Sequence, residues 1–167
     1  MIIYILRHGI AVERRAGRAD EKRALTEEGR AKLTQVLKRA RAAKVAPTLI
    51  LTSPYVRAVQ TADLAAKLLG CKKKIVRTDA LLPSASPEDV WREIRGLRAE
   101  SAILLAGHEP LLSQTASYLL GEERTIIELK KAALAAIEVG SAGKAPEGVL
   151  RWLITPKMAG SEGEEEE

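Results

Sequence analysis

The feature that most limits the possible folds is a regular alternation of short apolar runs with longer amphipathic stretches. Within the first long stretch, apolar side chains recur at helical spacing, as Leu33, Val36, Leu37 and Ala40 do. The runs themselves are apolar at consecutive positions, which is typical of strands that are covered on both faces. We therefore predict a three-layer α/β/α sandwich around a mainly parallel sheet. The predicted strands are residues 2–6, 48–52, 74–78, 102–106, 133–139 and 149–154.

The last two predicted strands lie too close together in the sequence for a helix to join them. Residues 140–148 between them are rich in glycine and contain Pro146, which is typical of a turn. Two strands joined in this way are expected to form an antiparallel hairpin. The sheet is therefore predicted to be mixed.

Capping residues predict where several helices begin and end. Thr26 and Ser86 each precede residues that favour a first helical turn. Ser53 stands before Pro54, and a proline is favoured at the first position of a helix, so Ser53 is also predicted to be a cap. Gly70 is predicted to end the second helix.

The length of 167 residues is that of a single domain, which we place at residues 1–158. Residues 159–167 form a tail rich in glutamate, predicted to be disordered. No apolar run is long enough to span a membrane, and Arg7 interrupts the only apolar run near the start. Cys71 is the only cysteine, so an internal disulfide is excluded. Together these features predict a cytoplasmic protein without a membrane association, and a monomer is favoured.

The charge of the chain favours anionic partners. The net charge is +5, and the tail holds five of the 22 acidic residues, so the rest of the chain is more basic than this value suggests. Such a charge attracts nucleic acid, phosphorylated molecules and acidic protein surfaces alike. With two Trp, three Tyr and no Phe the chain has few side chains for base stacking, so we expect no nucleic-acid partner.

Candidate functional residues follow three of the predicted strands. Arg7 and His8 follow the first strand, Ser53 and Arg57 follow the second, and His108 follows the fourth. Because the carboxyl ends of parallel strands meet at one edge of a sheet, these side chains are expected to share one crevice. Arg57 is expected in the first turn of its helix, near an N-terminus that favours anions.

Two imidazoles and two guanidinium groups without a carboxylate cluster suit the transfer of a phosphoryl group. Arg7 and Arg57 can hold phosphate oxygens through charge-assisted hydrogen bonds. A neutral imidazole has a free lone pair that can attack phosphorus. The other histidine, if protonated among phosphate oxygens, would donate hydrogen bonds, and Gly9 would let the backbone approach the ligand. With only two histidines, His8 and His108, we expect no metal site and no cofactor.

These motifs resemble the histidine phosphatase superfamily, which has the phosphoglycerate-mutase-like fold. Arg7-His8-Gly9 matches its signature triplet, and residues 53–62 and 107–110 are similar to its second and third motifs. Residues 23–29 resemble a segment of the small SixA-type branch, whose members remove phosphate from phosphohistidine. The resemblance covers roughly residues 1–157 and omits the acidic tail.

The resemblance also implies roles for individual residues. His8 would be the nucleophile that carries a phosphohistidine intermediate, which water then hydrolyses without a cofactor. Arg7, Arg57 and His108 would form the phosphate pocket, with Arg23 as a further contributor. Gly9 and Ser53 complete the set that we expect to bind phosphate.

The substrate is predicted from a residue type that is missing. Larger members of the superfamily carry a glutamate general acid between the second and third motifs, but no acid follows Leu82 here. A nitrogen leaving group needs less help from an acid than an alkoxide does. We therefore expect a phosphohistidine or related phosphoramidate as the substrate, and an acidic protein that carries phosphohistidine as the candidate partner.

Several alternatives stay open at this point. The chain could be a phosphomonoesterase for a small phosphorylated metabolite, or a binding module that holds phosphate without catalysis. Glu109 could serve as an acid, although a place at the rim or as a helix cap is the simpler interpretation. Cys71 and Arg77 have the spacing of a cysteine-dependent phosphatase, but the helix-to-strand context disagrees with it. Residues 10–23, dense in arginine and lysine, are expected to form a long loop.

Overall fold

The computed structural model describes residues 1–140 and 143–160 and is built on one six-stranded sheet. The strands are β1 (Ile2–Arg7), β2 (Leu49–Thr52), β3 (Val76–Arg77), β4 (Ala102–Gly107), β5 (Leu134–Val139) and β6 (Gly148–Ile154). Four strands run parallel to one another, whereas the last two form an antiparallel hairpin whose first strand pairs with β1. The strand order is β3-β2-β4-β1-β5-β6. The predicted α/β class, the mixed sheet and the hairpin are therefore confirmed.

Helices cover both faces of this sheet and give it three layers. The helices are α1 (Glu27–Ala42), α2 (Val56–Leu69), α3 (Pro87–Arg95), α4 (Leu111–Leu119) and α5 (Pro156–Ala159). One apolar core lies between the sheet and α3 and α4, and a second core lies between the opposite face and α1, α2 and α5. Two short 3-10 helices, Asp20–Lys22 and Asp79–Leu81, lie in the connections.

Strand β4 shows why the apolar runs predict this architecture. Ile103 and Leu105 point into one core, whereas Leu104 and Ala106 point into the other. All four side chains are fully buried. Burial of each leucine or isoleucine contributes about 1.5–3 kcal/mol, so a strand with two covered faces gains at every position.

Three predicted helix boundaries are confirmed. The Thr26 side chain accepts a hydrogen bond from the amide of Gly29 in the first turn of α1. Ser86 caps α3 in a capping box with Asp89. Gly70 ends α2 in the left-handed conformation, with φ of 70°, where glycine avoids the strain of a Cβ atom.

Two other predictions are wrong in detail. Helix α2 begins at Val56 with Tyr55 in the N-cap position, so Ser53 does not cap it. The predicted third strand pairs only over Val76–Arg77. Its side chains are exposed because β3 lies at the edge of the sheet, where only β2 adjoins it.

The predicted loop and tail are more structured than expected where they are described. Residues 10–23 contain the 3-10 helix Asp20–Lys22, and a bridge joins Ala11 to Leu25. Helix α5 extends to Ala159, which is buried in the core shared with α1, so the first residue of the predicted tail belongs to the fold. Residues 161–167 of that tail lie outside the described residues. In the described part of the chain, no helix has the length and apolar character needed to cross a membrane.

Candidate active site

The sheet brings the predicted residues to one cleft at the carboxyl edge of its parallel strands. Arg7 ends β1, so His8 follows it directly, and His108 follows the last residue of β4. The two imidazole rings lie 5.2 Å apart between their centroids. Arg57, in the first turn of α2, and Arg23, after the 3-10 helix, reach the same cleft, whose volume is about 200 Å³.

The hydrogen bonds of His8 fix which of its nitrogens carries the lone pair. Its Nδ1 lies 2.7 Å from the carbonyl oxygen of Gly9, and a carbonyl can only accept, so Nδ1 carries the proton. The lone pair is therefore on Nε2, to which the Nε of Arg57 donates at 3.3 Å. Burial lowers the pKa of His8 to about 4, and the charges of Arg57 and Arg7 act in the same direction against the hydrogen bond to Gly9. His8 is thus neutral at pH 7, as attack on phosphorus requires.

His108 is held from behind by a buried serine. Its Nε2 lies 2.7 Å from the hydroxyl oxygen of Ser53, and the ring of Tyr55 packs against it edge to face. Burial lowers the pKa of His108 to about 3, with smaller contributions from His8 and Arg57. The imidazole is therefore neutral in this structure. A phosphate dianion in the cleft would act in the opposite direction, because an anion favours the charged ring.

Asp20 organises two of the guanidinium groups and is absent from our sequence prediction. Its Oδ1 accepts from the Nε of Arg23 at 2.8 Å, and its Oδ2 accepts from an Nη of Arg57 at 3.2 Å. The backbone carbonyl of Asp20 accepts from the other Nη of Arg57 at 2.8 Å. Burial alone would raise the pKa of Asp20, but the hydrogen bonds and charges of Arg23 and Arg57 lower it. The carboxylate is therefore ionised and orients both arginines toward the cleft.

A prediction based on the basic residues of the surrounding loop does not include Asp20. The spacing of three residues between Asp20 and Arg23 is a signal for an ion pair on a helical turn, and it could have indicated this contact. Lys131 also lines the cleft. It follows no predicted strand and belongs to no periodic pattern, so nothing in the sequence identified it.

Arg7 is positioned by the segment that precedes β5. One of its Nη atoms donates to the carbonyl oxygen of Leu129 at 2.8 Å. The amide of Ala132 donates to the carbonyl oxygen of His8 at 3.2 Å. This segment is therefore joined at two points to the end of β1, where Arg7 and His8 lie, and Lys131 lies between those two points.

Gly9 and Ser53 lie beneath the cleft rather than along its walls. Both are buried; the carbonyl of Gly9 accepts a hydrogen bond from His8, and the hydroxyl of Ser53 is hydrogen-bonded to His108. A Cβ atom on Gly9 would lie 2.8 Å from Cδ1 of Leu33, so a larger residue would not fit there. The geometry gives both residues a supporting position for the two histidines.

Glu109 lines the cleft but its carboxylate is engaged in capping α4. It accepts from the backbone amide of Ser113 at 2.9 Å and from the hydroxyl of the same residue. The interpretation of Glu109 as a rim and capping residue therefore agrees with the structure.

The cysteine-phosphatase spacing does not form a site. Cys71 is a half-buried free thiol immediately after Gly70, and Arg77 is exposed in β3. No helix follows Cys71 to present backbone amides to an anion; the chain continues into β3 instead.

Several cations and two neutral imidazoles thus face a single small cleft, and in the part of the chain that the structure describes the lone pair on Nε2 of His8 is shared only with the Nε of Arg57. Such a site can bind a phosphoryl group and accept it on nitrogen. Fold and site together define an enzyme of the α/β class that handles phosphate. Among the described residues, no group of three or more histidine, cysteine, aspartate or glutamate side chains could hold a metal ion.

Comparison with known proteins identifies the family. The model of the histidine phosphatase superfamily (branch 1) matches residues 3–82. An uncharacterized protein of Picosynechococcus sp. (strain PCC 7002) is 33% identical over 144 residues, which cover 85% of this chain and 87% of that protein. The chain belongs to the histidine phosphatase superfamily, and it is a phosphatase of the histidine-nucleophile type.

Solved structures show the same fold. The protein histidine phosphatase SixA in complex with tungstate is 24% identical with a TM-score of 0.82, over 94% of this chain and 98% of that one. SixA from Agrobacterium tumefaciens is also 24% identical, with a TM-score of 0.80 over 93% and 97%. A mycobacterial glucosyl-3-phosphoglycerate phosphatase is 16% identical, with a TM-score of 0.68 over 89% and 96%. The predicted phosphoglycerate-mutase-like fold is confirmed.

Proposed function

We propose that the protein removes phosphate from phosphohistidine or a related phosphoramidate, with His8 as the nucleophile. The observation that carries this proposal is the arrangement around His8: Nδ1 donates to Gly9, Nε2 keeps its lone pair, and the ring is neutral. Arg57 lies next to that lone pair, at the place where a phosphoryl group must bind to be attacked.

The reaction proceeds in two steps. In the first, Nε2 of His8 attacks phosphorus, the Nε2–P bond forms, and the bond from phosphorus to the leaving nitrogen breaks. The other nitrogen of the substrate imidazole is protonated beforehand, so the leaving group takes the electron pair and departs as neutral imidazole. In the second step water attacks phosphorus, His8 regains its lone pair, and inorganic phosphate leaves with a proton lost to solvent.

Positive charge around the cleft stabilises the transferring group. Arg7, Arg23 and Arg57 line the cleft together with Lys131. Groups held in place before the reaction stabilise the charge that develops in the transition state without a cost of reorganisation. Asp20 supplies that order for Arg23 and Arg57.

The choice of a nitrogen leaving group rests on the state of the acidic side chains. Asp20 and Glu109 are the two acidic residues among the described residues that line the cleft. Asp20 has a lowered pKa and is held by two arginines, and Glu109 is hydrogen-bonded to Ser113. Neither is placed as a protonated acid for an alkoxide. The name of the SixA neighbours, histidine phosphatases, agrees with this substrate class.

We further infer a cytoplasmic location and a phosphorylated protein as the physiological substrate. The location is supported by the single cysteine, Cys71, which leaves no pair for an internal disulfide. The protein substrate is supported by the basic surroundings of the cleft.

The test compares phosphohistidine with p-nitrophenyl phosphate at equal concentration, using the full chain and the variants His8→Gln and Arg57→Ala. We expect faster turnover of phosphohistidine, a phosphate label on His8 after acid-free quenching, and no turnover by His8→Gln. Arg57→Ala should lower kcat/KM at least about a hundredfold. A chelator should leave all rates unchanged.

Two results would overturn the proposal in different ways. A clear preference for the ester would make the protein a phosphomonoesterase for a small metabolite. Binding of phosphohistidine without any label on His8 would make it a binding module. Circular dichroism of each variant separates loss of chemistry from loss of fold.

A further inference from the structure

A second and larger depression lies directly beside the catalytic cleft. Its volume is about 670 Å³, and it shares Arg7 and Lys131 with the cleft. Its floor is apolar and is formed by Ile10, Ala132 and Pro156. We call this depression the lateral groove.

The rim of the lateral groove is strongly basic. Lys32, Lys130, Lys131 and Lys157 line it, all of them exposed, and no acidic side chain of the described residues does. Lys32 pairs with Glu28 and Lys130 pairs with Glu128, but these are exposed pairs at the surface. Lys131 and Lys157 make no ion pair with any described residue. The groove thus combines an apolar floor with four exposed lysines, of which two have no ion pair among the described residues and two have only solvent-exposed pairs that a bound carboxylate could replace.

The walls of the lateral groove are attached to the catalytic edge of the sheet. The segment from Leu129 to Ala132 is held by the side chain of Arg7 at one end and by the carbonyl of His8 at the other. On the opposite side, Thr155 caps α5 through the amide of Met158. The groove is therefore preformed and keeps a fixed position relative to His8.

We propose that the lateral groove binds an acidic segment of the phosphorylated protein on which the enzyme acts. This inference rests on the proposed function, because it identifies the kind of polypeptide that carries the phosphoryl group. Carboxylates of the segment pair with Lys130 and Lys157, and its aliphatic atoms cover the apolar floor. Since Arg7 and Lys131 belong to both the groove and the cleft, a segment bound in the groove continues directly to a phosphoryl group at His8.

The test uses two phosphohistidine peptides that differ only in flanking residues, one with glutamates and one with glutamines, and a small phosphoramidate. The full chain is compared with Lys130→Ala/Lys157→Ala and with the control Lys38→Ala/Lys67→Ala, whose lysines are exposed on α1 and α2. We expect the groove variant to lose roughly five- to tenfold in kcat/KM on the acidic peptide only, as suits two exposed charges. The loss should disappear at about 0.5 M salt, where such charges are screened. The control should match the unchanged protein on every substrate.

Each other outcome counts against the groove. An equal loss on all three substrates, or no loss on the acidic peptide, would overturn the inference. Failure of the unchanged protein to hydrolyse any of the three would instead overturn the proposed function.

A further variant of the full chain, in which glutamine replaces Glu162 and Glu164–Glu167, tests whether the acidic tail itself occupies the groove. If this change raises activity on the acidic peptide and removes the effect of the lysine substitutions, the occupant is the chain's own tail, and the inference is wrong.

Discussion

At the scale of single residues, the two histidines differ in the group that holds their second nitrogen. His8 Nδ1 meets the carbonyl of Gly9, which can only accept, so its tautomer is fixed. His108 Nε2 meets the hydroxyl of Ser53, which can donate or accept. Ser53 can therefore serve either tautomer of His108 or its protonated ring, whereas neutral His8 has its lone pair on Nε2. This difference suits His8 to act as the nucleophile and His108 to donate a hydrogen bond to the phosphoryl group.

The lowered pKa of His8 predicts an unusual pH dependence of the rate. An ordinary histidine with a pKa near 6.5 would be only about 3% neutral at pH 5. Because burial lowers the pKa of His8 to about 4, the nucleophile stays mostly neutral there. After correction for the ionisation of the substrate, we expect kcat/KM to stay constant from pH 7 to about pH 5. Below pH 5 it should fall, as His8 becomes protonated. An acid limb centred near pH 6.5 would contradict this assignment.

At the scale of elements, two glycines allow α1 to pack against the turn that carries His8. A Cβ atom on Gly29 would lie 2.2 Å from the carbonyl oxygen of Ile10. That same oxygen accepts hydrogen bonds from the amide and the hydroxyl of Thr26. The backbone carbonyl of Gly29 in turn lies 3.0 Å from the position of a Cβ atom on Gly9. The first turn of α1 therefore holds the chain just after the nucleophile.

This contact predicts the sign of a substitution. In an ordinary helix a change from glycine to alanine stabilises by about 1 kcal/mol. For Gly29→Ala we expect the opposite, a loss of roughly 1–3 kcal/mol in the free energy of unfolding, because the added atom collides with backbone. We also expect lower activity, since Ile10 is two residues from His8. Urea titration measures the change in the free energy of unfolding, and turnover of phosphohistidine measures the change in activity.

A matched control separates steric from conformational effects. A Cβ atom on Gly140 would meet no atom of the described residues within 4 Å, so Gly140→Ala should change the free energy of unfolding by less than about 0.5 kcal/mol. If Gly29→Ala changes the free energy of unfolding as little as this control does, the close contact between α1 and Ile10 does not limit stability.

The sequence predicted those elements whose signals are local and left out those that depend on contacts distant in sequence. Apolar runs and caps such as Thr26 are local, and they located the strands and the start of α1. The predicted start of α2 was wrong because the hydroxyl of Ser53 forms a hydrogen bond with His108, which is 55 residues away in the sequence. The residues next to Ser53 give no indication of this contact. Asp20 and Lys131 reach the cleft through the folding of irregular segments, which carry no periodicity. The strand ends therefore predicted the centre of the site but not its full boundary.

At the scale of the whole molecule, the site makes the fold sensitive to acid. Both histidines of the chain are buried, 8% and 2% exposed, and their pKa values are lowered to about 4 and about 3. In the unfolded chain each would have a pKa near 6.5. Between these values the unfolded state binds protons that the folded state does not. The stabilisation is therefore fully present above about pH 6.5 and is lost as the pH falls toward the folded pKa values.

We expect the free energy of unfolding to fall between pH 6.5 and pH 5, with a slope that approaches about 2.7 kcal/mol per pH unit once both unfolded histidines are protonated. Carboxylates with lowered pKa values, such as Asp20 and Glu128, act in the same direction, but mainly below pH 5, so the two histidines dominate this window. Urea titrations across the range measure the slope, and His8→Gln/His108→Gln should flatten it. NMR gives a second test that needs no variant, because the chain has only two histidines to assign. Neither imidazole resonance should titrate between pH 7 and pH 5 in the folded protein, and a midpoint near 6.5 for either would show that burial does not hold that histidine neutral.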